Sequence, residues 1–285
     1  MIELSRLRLT PEEEAGLTDA AKRLSADSRR VIGEGVSAYR AFPGFDYPSF
    51  TERLEKEATV PEEAHFLFLL SLLPVLEDYY RKTGYPERYF TGVLRDVRTK
   101  LRECVSMRSV YGTFVARWFR RWFSLERVAL ERLQFECIPY DYTLALPGYS
   151  CVPGDRMVNV HIPGGASLDR ETCLRDYAEA ARLFGGRFSG DAVPFHCHSW
   201  LLNPDHPAFL DPRSRILAFQ ADYTIFEFEQ EDPARFIWRL TLTPYDGDPA
   251  HLPERNALER AYKVRLLSGG SVGEGRGVYL YPKAR

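Results

Sequence analysis

Hydrophobic and polar positions along this chain change their period once, near Leu130. Before that point the spacing is helical. "LTPEEEAGL" sets Thr10 as an N-cap, Pro11 at the first helical position and Glu13 three residues after the cap, the pattern of a reciprocal capping box. "ATVPEEAHFLFLL" repeats the device with Thr59 and Glu62, and "AFPGFDYPSF" between them is a loop broken by Pro43, Gly44 and Pro48. The apolar run Phe66 to Leu76 predicts a buried helix that ends at Gly84 and Pro86, followed by a helix over about residues 91–104. In "VARWFRRWFS" helical spacing puts Trp118, Phe119, Trp122 and Phe123 on one face and Arg117, Arg120 and Arg121 on the other. That is a packing face with arginines in water, a better reading than a nucleic-acid patch.

After Leu130 the positions alternate. "RLQFECIP", "RMVNVHIP", "PFHCHSWLL", "DYTIFEFEQ", "RFIWRLTLTP" and "GVYLYP" read as strands. Helices are expected at Asp169 to Phe184, about residues 207–217, and Glu254 to Leu267. Glycine-dense "SGGSVGEGRG" follows a helix and leads into a strand, so it reads as a loop or hairpin, although Arg276 could touch a phosphate there. The chain is therefore α+β, with a helical N-terminal domain, residues 1–126, and an α/β domain, residues 127–285.

Composition narrows the class. With 285 residues, 45% hydrophobic and 13% aromatic, the chain can bury a sizeable core. A formal net charge of -2 gives no reason to expect nucleic acid or an anionic membrane as partner. "MIELSRLRLT" does not read as a signal peptide, and Phe66 to Leu76 is too short to span a bilayer. An odd five cysteines without paired short spacing suit reduced thiols in a cytoplasm.

"VNVHIPGGASL", Val158 to Leu168, carries the first candidate chemistry. A strand that turns through glycine into a helix exposes backbone N–H groups at the positive end of the helix dipole, and glycine lets an anion approach closely. A plain tight turn has the same spelling, and the stretch alone leaves both open. The landmarks "RLQFE" (Arg132 to Glu136), "VHIPGGASL" (Val160 to Leu168), "CHSWLL" (Cys197 to Leu202) and "LPERNALERA…GGSVGEGRG" together resemble a bacterial acyltransferase-domain family. Its members pair a helical N-acyltransferase N-terminal domain with a C-terminal domain like the GNAT N-acetyltransferase fold, a mixed sheet with helices. The resemblance implies acetyl-CoA or another acyl-CoA as co-substrate and a small-molecule or peptide amine as acceptor. In that fold a loop of pattern Gln/Arg-x-x-Gly-x-Gly/Ala holds the CoA pyrophosphate. His161, Gly164 and Ala166 take its places, with Gly165 and Ser167 beside them; His161 departs from the pattern. The next strand, "PFHCHSWLL", then splays from its neighbour to admit the pantetheine arm.

Acyl transfer to an amine needs a base with a pKa near neutrality. His198 is the first candidate, Glu227 the alternative, and Tyr223 a candidate acid for the leaving thiolate. Strand alternation puts His196, His198 and Trp200 on one face and Cys197 and Ser199 on the other. Both histidines could equally be structural, and a Cys197–His pair would have to bridge opposite faces. A metal site would need further ligands from His161, Glu227 or Glu229, so no metal is expected. A catalytically silent acyl-CoA or small-ligand binder and a metal-dependent hydrolase built on the histidines remain the alternative functions.

Overall fold

The computed structural model describes residues 4–283. The chain divides into two compact units, one ending at Glu131 and the other starting at Arg132. The first is built from α1 (Pro11–Arg23), α2 (Ala26–Ala41), α3 (Tyr47–Glu57), α4 (Pro61–Thr83), α5 (Glu87–Arg108), the one-turn α6 (Arg120–Phe123) and a short strand β1 (Arg127–Ala129). The Thr10 capping box forms: the Glu13 amide donates to Oγ1 of Thr10 at 3.2 Å, and the Thr10 amide to the Glu13 carboxylate at 2.7 Å. Its predicted repeat at Thr59 does not form. Val60 is the N-cap of α4, without a side-chain bond, and Pro61 alone fixes the start. Apolar almost all round, α4 is buried along Phe66 to Leu70, as a helix without a polar face must be, and it stops at Gly84, whose φ of 74° is left-handed. Phe119, Trp122 and Phe123 are buried and Arg117 and Arg120 exposed, as expected, while Trp118 and Arg121 are each half-buried, because the stretch is a 3₁₀ turn and α6 rather than one helix.

The second unit holds β2 (Gln134–Pro139), β3 (Leu144–Leu146), β4 (Tyr149–Cys151), β5 (Arg156–His161), α7 (Arg170–Phe184), β6 (Ala192–Ser199), α8 (His206–Phe209), α9 (Arg215–Gln220), β7 (Thr224–Gln230), α10 (Pro233–Thr241), α11 (Ala257–Leu267) and β8 (Gly273–Pro282). Within this unit the strands order as β2-β5-β6-β8-β7, and β3 and β4 form a separate hairpin. Only β5 and β6 run parallel; the other neighbours are antiparallel. The helix expected near residues 207–217 is two short ones, α8 and α9.

Two expectations fail here for local reasons. "RFIWRLTLTP" is mostly helix, not strand: the Asp232 carboxylate accepts from the Ala234 amide at 2.9 Å, Pro233 takes the first turn, and Phe236 and Ile237 face the core against Tyr262. "GEGRG" is the first half of β8 rather than a loop. A Cβ at Gly275 would run into the backbone carbonyl of Leu202, so glycine there admits a neighbouring turn. Gly275→Ala is expected to destabilise the protein by about 1–3 kcal/mol, the usual range for forced overpacking. An unchanged urea midpoint would show that the Leu202 turn moves aside without strain. Among the described residues no helix is long and apolar enough to cross a membrane.

Candidate functional site

The ladder between β5 and β6 covers only Val158–Phe195 and Asn159–His196, although both strands continue. Beyond it β5 stays with β2, through Phe135–Val160 and Gln134–His161, and β6 stays with β8 as far as Ser199–Gly275. The two parallel strands therefore part toward their C-terminal ends. Side chains two apart share a face, so His161 and His198, each two residues past the last shared pair, flank the opening on one face. Each has a carboxylate from the strand on its far side. His161 Nε2 lies 2.8 Å from Glu136, and His198 Nε2 lies 3.5 Å from Glu274. His198 keeps 35% of its side chain exposed, enough for a ligand to reach it. It also pairs across the sheet with Arg276, which in turn pairs with Glu227 at 3.1 Å. His198, Arg276 and Glu227 thus form one cross-strand row, with Glu227 held in an ion pair.

Asn159 ties the floor of the opening together. Its Oδ1 accepts from the Tyr140 hydroxyl at 3.2 Å and faces His196 Nδ1 at 3.1 Å. Its Nδ2 faces the buried Glu136 carboxylate at 3.3 Å, which fixes the orientation of the amide. Nδ2 is also 3.0 Å from His161 Nε2, but two donors cannot share a proton, and the shorter bond to Glu136 makes Nε2 the protonated nitrogen of His161. His196 must then carry its proton on Nδ1 and present a bare Nε2. Burial, followed by the charges of His198, Arg276 and His161, lowers the His196 pKa to about 3, so it is neutral at ordinary pH. Gln134 Oε1, Tyr142 OH and His196 Nε2 are buried with no hydrogen-bond partner among the described residues. Unpaired polar atoms of this kind are costly unless a ligand or water completes them.

The loop from Pro163 to Asp169 joins β5 to α7. Gly164 to Ser167 are exposed, and Gly165 has a φ of 80°. Among the described residues no amide from Gly164 to Leu168 donates to a backbone carbonyl. The N-terminus of α7 is capped from within, because the Asp169 carboxylate accepts from the Thr172 amide at 3.0 Å. An anion here therefore meets the loop amides rather than the helix end. Arg215 of α9 hydrogen-bonds the Ser167 hydroxyl and adds a cation at the loop.

Tyr223 lies on the opposite face of the sheet from His198. Its hydroxyl is 2.6 Å from that of Tyr177 on α7, both rings are buried, and burial raises both phenols. The structure does not bring it to His198. Cys197 is fully buried on the same side as Tyr177, and burial pushes its thiol up, which leaves little thiolate for nucleophilic chemistry. Among the described residues no three His, Cys, Asp or Glu side chains gather where they could hold a metal ion.

Among the residues at the site that sequence reasoning did not single out are Glu136, Tyr140, Asn159, Arg215 and Glu274. A signal existed for Glu136, an acidic residue between Phe135 and Cys137 in an apolar strand. None marked Arg215.

Residues 3–125 match the N-acyltransferase N-terminal domain, and residues 128–279 match the GNAT-like C-terminal domain. Curated protein sequences give no match. Similar solved structures include an acyltransferase in complex with decanoyl-CoA, with a TM-score of 0.73, 19% identity, and coverage of 98% of this chain and 86% of that one. An acyltransferase mutant with octanoyl-CoA has a TM-score of 0.75 and 17% identity, and an acyltransferase with CoA and 10C-teicoplanin has 0.75 and 19%, both at the same coverage.

Proposed function

Given that the chain belongs to the family pairing an N-acyltransferase N-terminal domain with a GNAT-like C-terminal domain, we propose that it moves an acyl group from acyl-CoA to the amine of a small-molecule acceptor. The observation that carries this reading is the parting of β5 and β6, with an amide-lined loop at the end of one strand and a histidine–carboxylate pair on each side. Relatives of the same fold solved with acyl-CoA, and one with CoA and 10C-teicoplanin, support the choice of donor and of a small-molecule acceptor.

In this reading the acceptor amine loses its proton to His198, the more exposed of the two histidines. The nitrogen lone pair attacks the thioester carbonyl carbon; the C–N bond forms, the C–S bond breaks, and the departing CoA thiolate takes up the second proton that the nitrogen gives off on becoming an amide. Backbone N–H groups released where the strands part stabilise the oxyanion. The amides of Gly164 to Ser167, with Arg215, hold the pyrophosphate. His161 is the last residue of β5, ahead of that loop, and its imidazole stays with Glu136.

The loop assignment is tested by Gly165→Val. A φ of 80° is strained for a β-branched residue, so the substitution is expected to shift the loop backbone and its amides. CoA affinity, measured by calorimetry on variant that retains its fold, is expected to fall at least about tenfold, equivalent to 1.4 kcal/mol. Equal affinity would remove the loop from the site.

A further inference from the structure

Arg132 opens the second unit, yet the residue is only 9% exposed. Its Nε donates to the carbonyl of Ser167 at 2.9 Å, and one terminal nitrogen donates to the carbonyl of Pro163 at 2.7 Å. These two carbonyls bracket Gly164, Gly165 and Ala166. The backbone amides of Arg132 and Leu133 both donate to Oδ2 of Asp176, at 2.6 and 2.8 Å. Asp176 sits on α7, the helix into which the loop runs. One arginine is thus fastened through its backbone to the helix and through its side chain to both ends of the loop that precedes it.

A trans peptide carries its C=O and the following N–H on opposite sides. Turning the Pro163 carbonyl toward Arg132 therefore turns the Gly164 amide away from it, toward the exposed side. The same side chain therefore orders the loop and aims an amide outward.

We propose that Arg132 is a positioning residue that pre-forms the Pro163–Ser167 loop for a diphosphate, an inference that rests on the acyl-CoA reading of that loop. A lysine cannot stand in, because a single ammonium lacks the rigid fork that reaches two separated carbonyls.

The test compares CoA with pantetheine, which lacks the diphosphate and nucleotide, by calorimetry on the full chain. The variants are Arg132→Gln and Arg132→Lys; the lysine keeps the charge and most of the stem, and serves if the glutamine variant does not fold. Wild type is expected to bind CoA more tightly than pantetheine. In the variant CoA affinity falls at least tenfold and pantetheine affinity stays the same. A variant that weakens both ligands equally would make Arg132 a general structural residue and overturn the proposal, as would unchanged CoA affinity. Wild type that binds neither ligand would instead remove the acyl-CoA reading itself.

Discussion

His198→Gln lowers kcat for amine acylation by about 10²–10⁴, the usual contribution of a general base, and leaves CoA affinity nearly unchanged. Glutamine retains hydrogen bonding at the mouth of the strands but cannot accept a proton near neutral pH. The loop that holds the diphosphate in this reading lies on another segment, which is why binding and turnover separate. The rate recovers in part as pH rises, because more of the acceptor amine is then already deprotonated in solution. The assay follows release of free thiol from acetyl-CoA and longer acyl-CoAs, after a screen has found an acceptor. His161→Gln, made in parallel, distinguishes the two histidine–carboxylate pairs. Full turnover in His198→Gln together with collapse in His161→Gln would move the base to the other side of the opening.

Acid weakens the fold through His196. Its pKa is about 3 in the folded protein against 6.5 for an ordinary histidine, so between those values the unfolded chain binds a proton that the folded chain does not. Stability from this residue is fully present above pH 6.5 and is lost as pH falls through that window. The loss is on the order of 3 kcal/mol by pH 4, at 1.36 kcal/mol for each pKa unit. His206, which burial lowers to about 4, acts in the same direction and is common to wild type and variant. In urea titrations at pH 7 and pH 4, wild type is expected to lose more stability than His196→Gln. Parallel losses in the two proteins would mean that His196 is not held neutral by the fold.

Much of the architecture is legible in the sequence because its causes are local. The Thr10 cap, the apolar centre of α4 and the alternation of β2, β5 and β6 each depend on residues within a few positions of one another. Residues 233–241 misled because Phe236, Trp238 and Leu240 alternate as a strand does, while Phe236, Ile237 and Leu240 also share a helical face. The start at Asp232–Pro233 decides between the two periods. At the site, His198 and the glycine loop are visible as motifs. What stayed hidden is non-local: Glu136 reaches His161 only through antiparallel pairing, and Arg132 reaches Pro163 and Ser167 across more than thirty positions. The length of the β5–β6 ladder is written in neither strand, since it depends on what each finds on its other side.

That short ladder also governs how the opening can move. Hydrogen bonds would fix the separation of β5 and β6 by direction as well as distance, and past Asn159 and His196 the two strands share none. On the opposite face of the sheet the Tyr177 ring rests against Phe135 of β2 at 5.9 Å and Phe195 of β6 at 5.1 Å, and those two rings meet each other at 5.5 Å across β5. Apolar contact of this kind resists separation but has little preferred direction. The aromatic cluster therefore backs the paired rungs themselves, and beyond them each strand is held only by its outer neighbour, β2 for β5 and β8 for β6, so β5 and β6 are not tied to each other where they part.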